Sequence, residues 1–252
     1  LFPYTTLFRS GRGRFCGNLL HSGFIPRKNK IEIVAMNLND LYKKVSAIPI
    51  GDFPPSALSG LLHGYISVYS IVRVSPWLED VYGSQWDIHE WIREIAGELA
   101  DLIKDPAVAL EDRVGYVADL METYLTYSDM DFLDIALDAA YGIISPEGGD
   151  EIVLPCRTPE MCRLLCSCYY FTGEERCAEL ANTIIKEKLK ENIDSFIPSR
   201  GGHWKWFCAI EYYHSVIGKT MNLPMKMTIE KENIVYLSEC FDILMNINKH
   251  II

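Results

Sequence analysis

The stretch Tyr169-Tyr170-Phe171-Thr172-Gly173-Glu174-Glu175 decides how this chain is read. Before it, Met161, Leu164, Leu165, Cys168 and Tyr169 recur at three- and four-residue steps. After it, Cys177, Leu180, Ala181, Ile184, Ile185 and Leu189 do the same. Apolar residues at that period mark amphipathic helices, and two such helices joined by a short turn make an antiparallel helical hairpin. Gly173 suits the end of the first helix, because glycine enters the left-handed region without a Cβ penalty.

Working outward, a shift of 45 positions aligns related residues. Leu120 falls on Leu165, Tyr124 on Tyr169, Ser128 on Gly173, Asp134 on Glu179, Ile135 on Leu180 and Ala136 on Ala181. In the other direction Ile210 falls on Leu165 and Gly218 on Gly173, and one further step back puts Gly83 at the same turn position. Internal repetition at this length is the mark of stacked helical hairpins. The expected fold is all-α: an array of about four antiparallel helical hairpins, solenoid-like or a partial α/α toroid. No stretch alternates as a sheet strand would, although Glu151-Ile152-Val153-Leu154 reads as a short extended segment.

The remaining helices follow from their ends. Helices are predicted over 37–47, 56–74, 110–126, 130–144, 203–218 and 230–246. Another begins at Ser84-Gln85-Trp86-Asp87, where Ser84 caps and Asp87 reaches back, and stops at Asp105-Pro106. Thr158-Pro159-Glu160 opens the helix before Gly173, with threonine as cap and proline in the first turn. Segment 56–74 is apolar on nearly all sides and is expected at the centre of the fold, with His63 as a hydrogen-bonded interior residue.

Residues 1–10, LFPYTTLFRS, resemble at every position the translation of a common short-read sequencing adapter. That resemblance implies a sequence assembled from metagenomic-type reads and a non-native leader over 1–35. Met36 is the expected natural start, and 36–252 a single all-helical domain. A secretory signal is not expected in the leader, because Gly17 to Ile25 is broken by Asn18, His21 and Ser22. The whole chain carries a net charge of −10, and residues 36–252 carry −15 because the leader is basic. An acidic surface repels polyanions, so no nucleic-acid partner is expected. No run is long and apolar enough for a membrane span, and a cytoplasmic protein is expected.

Eight cysteines include the cluster Cys156, Cys162, Cys166 and Cys168. Zinc sites favour paired C-x-x-C spacings, which are missing, so the cluster reads as buried reduced thiols and no metal or cofactor is expected. Three constellations carry candidate chemistry. Arg200-Gly201-Gly202-His203-Trp204-Lys205-Trp206, with Glu211 and His214, offers an anion or sugar-stacking site, or a glycine hinge with packing aromatics. Trp77, Glu79, Asp80, Tyr82, Trp86, Asp87 and His89 place carboxylates beside tryptophans, as a glycoside cleft would, or simply supply acids to a helix N-terminus. Asp119, Glu122, Asp129, Asp131 and Asp134 lack calcium-loop spacing and read as a solvated acidic turn.

The hairpins resemble two broad families. Ala136, Ala140 and Ala181 are similar to the small-residue signature of tetratricopeptide-type scaffolds, which implies partner binding on a concave face. The Tyr169 to Glu174 turn resembles turns of α/α-toroid enzymes, which implies action on sugars or peptides. Neither resemblance assigns a functional residue, and the catalytic residues stay unknown. The expected function is a protein–protein interaction scaffold. The alternative is a small carbohydrate-active protein using Glu79, Asp80 and His203 in a cleft lined by Trp77, Trp86 and Trp204.

Overall fold

A computed structural model describes residues 38–146, 152–189 and 203–217. The described chain is all-helical, with no strand among the described residues. In order it runs α1 (Leu38–Ser46), α2 (Pro55–Val74), α3 (Glu79–Tyr82), α4 (Gln85–Lys104), α5 (Leu110–Tyr127), α6 (Met130–Ile144), α7 (Pro159–Thr172), α8 (Glu175–Leu189) and α9 (His203–Ile217). Met36, the leader, Gly218 and the segment 230–246 lie outside the described residues.

Local chemistry sets the ends. The Asp87 N–H donates to the Ser84 hydroxyl at the start of α4, and the Met161 N–H donates to the Thr158 hydroxyl at the start of α7. Asp87 does reach back, but its carboxylate accepts from the Ser84 hydroxyl rather than from backbone. Gly173 closes α7 in the left-handed region at φ 74°, and Ser128 closes α5 there at φ 53°. Ile152 to Leu154 is irregular; the Val153 N–H donates to the Ile144 carbonyl at 2.7 Å.

From α4 onward the helices pack on their chain neighbours, α4 on α5, α5 on α6, α7 on α8 and α8 on α9, and α2 packs on α4. A second set of contacts runs sideways, α2 on α5, α5 on α7 and α7 on α9. These four helices form one layer, and α4 and α6 pack on each other behind it. Between α5 and α7 the contacts climb together along both helices. A Cβ on Gly115 would stand 3.4 Å from Cγ of Glu160, Asp119 meets Arg163, and the Tyr124 and Phe171 rings lie 6.0 Å apart. Between α7 and α9, Glu160 pairs with Lys205 at 2.8 Å and Ser167 with Tyr212 at 3.1 Å. So α5, α7 and α9 run in one direction.

Two expectations are corrected. Gly83 does not close a helix equivalent to α5 and α7. It follows the single turn α3 with φ 88° and ψ 168°, whereas the layer helix α2 already ends at Ser75. The extra turn arises because Pro76 cannot continue α2. The centre also shifts. Segment 56–74 is well buried, but α5 and α7 hold the middle of the described layer, and α2 stands at its edge. Residues Val114 to Met121 are all buried, as are Met161 to Cys168.

Candidate functional site

The buried runs of α5 and α7 each contain one charge, Asp119 and Arg163. An ion in such surroundings is costly unless paired and fully hydrogen-bonded. The two find each other across the layer: Nη2 of Arg163 lies 2.6 Å from Oδ1 of Asp119. Nε of Arg163 donates to Glu122, one turn further along α5, at 2.7 Å. From α2, the Ser59 hydroxyl donates to the other oxygen of Asp119. Nε2 of His63 lies 3.0 Å from Oδ1 of Asp119 and 3.0 Å from Nη2 of Arg163. The Asp119 side chain is 1% exposed, while Glu122 and His63 each keep 21%.

Electrostatics follow from these contacts. Burial pushes the Asp119 carboxyl up, but Arg163, His63 and Ser59 together hold it well below the usual carboxylate range. Burial pulls the Arg163 guanidinium down, and the Glu122 and Asp119 carboxylates more than restore it. Burial also opposes charge on His63; its bond to Asp119 and the nearby Glu122 outweigh that, so its pKa is raised. The result is a bolt across α2, α5 and α7 in which both deeply buried charges are matched. Along the same layer, Lys205 at the start of α9 pairs with Glu160 of α7, and its pKa is raised because Glu160 outweighs burial.

This overturns the reading of Asp119 and Glu122 as part of a solvated acidic turn. Asp119 is buried and Glu122 half-buried, both facing the layer. The others do sit at the turn: Asp129 caps α6 and pairs with Arg93 at 2.9 Å, and Asp131 and Asp134 are exposed. Sequence reasoning missed Arg163 altogether. The available signal was a single charge in each of two apolar runs, Val114 to Met121 and Met161 to Cys168. His63 is the hydrogen-bonded interior residue that its helix implied.

The tryptophan constellation sits elsewhere, at the corner between α2 and α4. Trp77 and Trp86 are each 72% exposed, Val74 is 60% and Val81 40%. Four of the seven exposed large hydrophobics among the described residues fall within this corner, so they are clustered rather than scattered. Tyr82 is buried; its backbone carbonyl accepts from the Tyr42 hydroxyl of α1. Glu79 accepts from the Gln85 side chain at 3.2 Å, Asp87 is engaged with Ser84, and the His89 ring lies 5.9 Å from that of Tyr69. Asp80 is exposed.

The third constellation is divided. Arg200, Gly201 and Gly202 lie outside the described residues, and His203 and Trp204 open α9. Nζ of Lys188 lies 5.1 Å from the Trp206 ring centre, Glu211 is half-buried and His214 buried. Because α9 packs on α7 and α8 while α3 packs on α2, His203 starts a helix at the far end of the layer from Glu79 and Asp80. The cysteines Cys162, Cys166, Cys168 and Cys177 are buried, with Cys156 half-buried beside Thr158. Among the described residues no group of three or more His, Cys, Asp or Glu is placed to hold a metal ion. No described helix is long and apolar enough to cross a membrane. Comparison with protein-family models, with curated proteins and with solved structures returns no match for this chain.

Proposed function

We propose that the chain is a helical-hairpin scaffold that holds a protein partner at the corner between α2 and α4. The observation that carries this is the pairing of Trp77 and Trp86, each 72% exposed, with Val74 and Val81 between and beside them. Large aromatic side chains left in water cost free energy that a partner can recover, and tryptophan is enriched among the residues that dominate protein interfaces. The stretch carrying the patch is rich in acids, with Glu79, Asp80, Asp87 and Glu90 on α3 and the start of α4. The partner therefore presents apolar side chains flanked by Lys or Arg.

The array itself is supported by lateral pairs one step apart, Glu160 with Lys205 and Ser167 with Tyr212, both at a separation of 45. The charge bolt belongs to this framework: Asp119 and Arg163 neutralise each other in the interior. A carbohydrate-active reading finds less support, because Glu79 is tied to Gln85 and His203 begins a distant helix.

The test uses the full chain as bait in the source cell. The double variant Trp77→Asp, Trp86→Asp should lose the captured protein while its circular dichroism and thermal midpoint stay unchanged, since neither ring is in the core. Capture should also weaken as salt rises, given the acidic stretch. Undiminished capture by the folded double variant would refute the assignment. So would loss of a concentration-dependent dimer in place of a foreign protein.

A further inference from the structure

Met130 opens α6, and it is 54% exposed. The other two methionines among the described residues, Met121 and Met161, are buried at 1% and 0%. The Met130 sulfur is in water but it is also held. The Tyr124 hydroxyl donates to it at 2.8 Å, across the turn at Ser128. That hydroxyl is anchored by its ring, which meets Phe171 of α7 at 6.0 Å and Tyr127 of α5 at 5.9 Å between centroids, both edge-on. Met130 is fixed at its backbone by the first turn of α6, which Asp129 caps. Donor and sulfur are therefore both set in place by the fold.

We infer that Met130 is a modification site for hydrogen peroxide and small hydroperoxides, and that Tyr124 directs the oxygen to one face of its sulfur. A thioether carries lone-pair density above and below its C–S–C plane, and it accepts a hydrogen bond there. One face accepts from Tyr124, and the other is open to the oxidant. On the open face the sulfur lone pair attacks a peroxide oxygen. The O–O bond breaks and an S–O bond forms. The leaving hydroxide takes the proton from the transferred oxygen and departs as water. Sulfur is oxidised by two electrons, and the peroxide is reduced. The two faces give opposite sulfoxide epimers, each repaired by its own reductase. Opening the shielded face breaks one neutral hydrogen bond, so one epimer should form in about five-fold excess. Oxidation turns an exposed apolar side chain into a polar one, and reduction restores it.

The folded full chain is treated with dilute hydrogen peroxide and cleaved after glutamate. Met121 then leaves on the peptide that ends at Glu122, and Met130 on the peptide 123–147. Mass spectrometry should find one added oxygen on the Met130 peptide while Met121 and Met161 stay unmodified. The two epimer-specific sulfoxide reductases should repair the folded product unequally, in a ratio of about five to one. In Tyr124→Phe, which keeps the ring and drops the hydroxyl, the two enzymes should repair similar amounts. Oxidation of Met121 or Met161 as fast as Met130 would overturn the inference. So would equal repair in the native chain. Unequal repair that persists in Tyr124→Phe would also overturn it, since the backbone and not the hydroxyl would then choose the face.

Discussion

Asp119 shows how one side chain reorganises what surrounds it. Its carboxylate is acceptable in the interior only because Arg163, His63 and Ser59 reach it from two other helices. Removing the cation alone is therefore worse than removing the pair. Arg163→Ala should cost about 3–5 kcal/mol in urea denaturation, while the double change Asp119→Leu, Arg163→Met should cost much less, because no unpaired ion is left buried. Equal losses would mean that water reaches Asp119. The pH dependence has two limbs. The Asp119 carboxyl titrates lower in the folded chain than in the unfolded one, so its contribution is present above about pH 4 and lost as pH falls further. The His63 imidazole titrates higher when folded, so its contribution is full below about pH 6.5 and lost as pH rises through its folded value. The urea midpoint should thus decline from weakly acidic to alkaline pH, and His63→Gln should flatten that decline; an unchanged slope in the variant would remove His63 from the account. None of this pairing was legible from sequence. Asp119 and Arg163 stand 44 positions apart, and a lone charge in an apolar run announces only that some partner exists.

Helix boundaries, by contrast, depend on a few adjacent residues, which is why they were legible. Ser84, Thr158 and Gly173 all act within their own turn: the two hydroxyls accept from backbone N–H groups, and the glycine, lacking a Cβ, takes the left-handed closure. Gly83 does close a helix at positive φ, but that helix is the single turn α3 and not a counterpart of α5 or α7. A repeat step carried too far ignored Pro76, which ends α2 locally and makes room for α3. At this scale the two left-handed closures make a paired prediction. A Cβ added at Gly173 would meet nothing within 4 Å, so Gly173→Ala tests backbone conformation alone and should cost about 1 kcal/mol. Ser128 already bears that penalty at φ 53°, so Ser128→Gly should be neutral or stabilising by up to about 1 kcal/mol. Denaturant midpoints for the two variants should move in opposite directions, and a joint decrease would show that Ser128 is held by more than its backbone. Thr158→Ala, which strips the hydroxyl from the Met161 N–H, should lose about 1 kcal/mol.

Across the whole molecule, the sideways contacts matter more than the turns. Helix α5 touches α2, α4, α6 and α7, and α7 touches α5, α6, α8 and α9, so these two meet more α-helices than any other described helix does. The Asp119–Arg163 bond runs between them, and His63 extends it to α2. The short α3 has far less around it and borders the exposed Trp77 and Trp86. Amide protection should follow this order of enclosure, because opening a helix costs what its buried contacts are worth. Hydrogen exchange should then be slowest in α5 and α7, where it reports global unfolding, and fast in α3, where local opening suffices. Arg163→Ala sharpens the expectation. If the bolt couples three helices, protection should fall together in α2, α5 and α7 and less in α6 and α8, whose contacts do not pass through Arg163. A loss confined to α7 would mean that the layer is held by apolar packing alone, with the charges as passengers. Protection highest in α6 or α8 would place the centre of the fold on the other side of the layer.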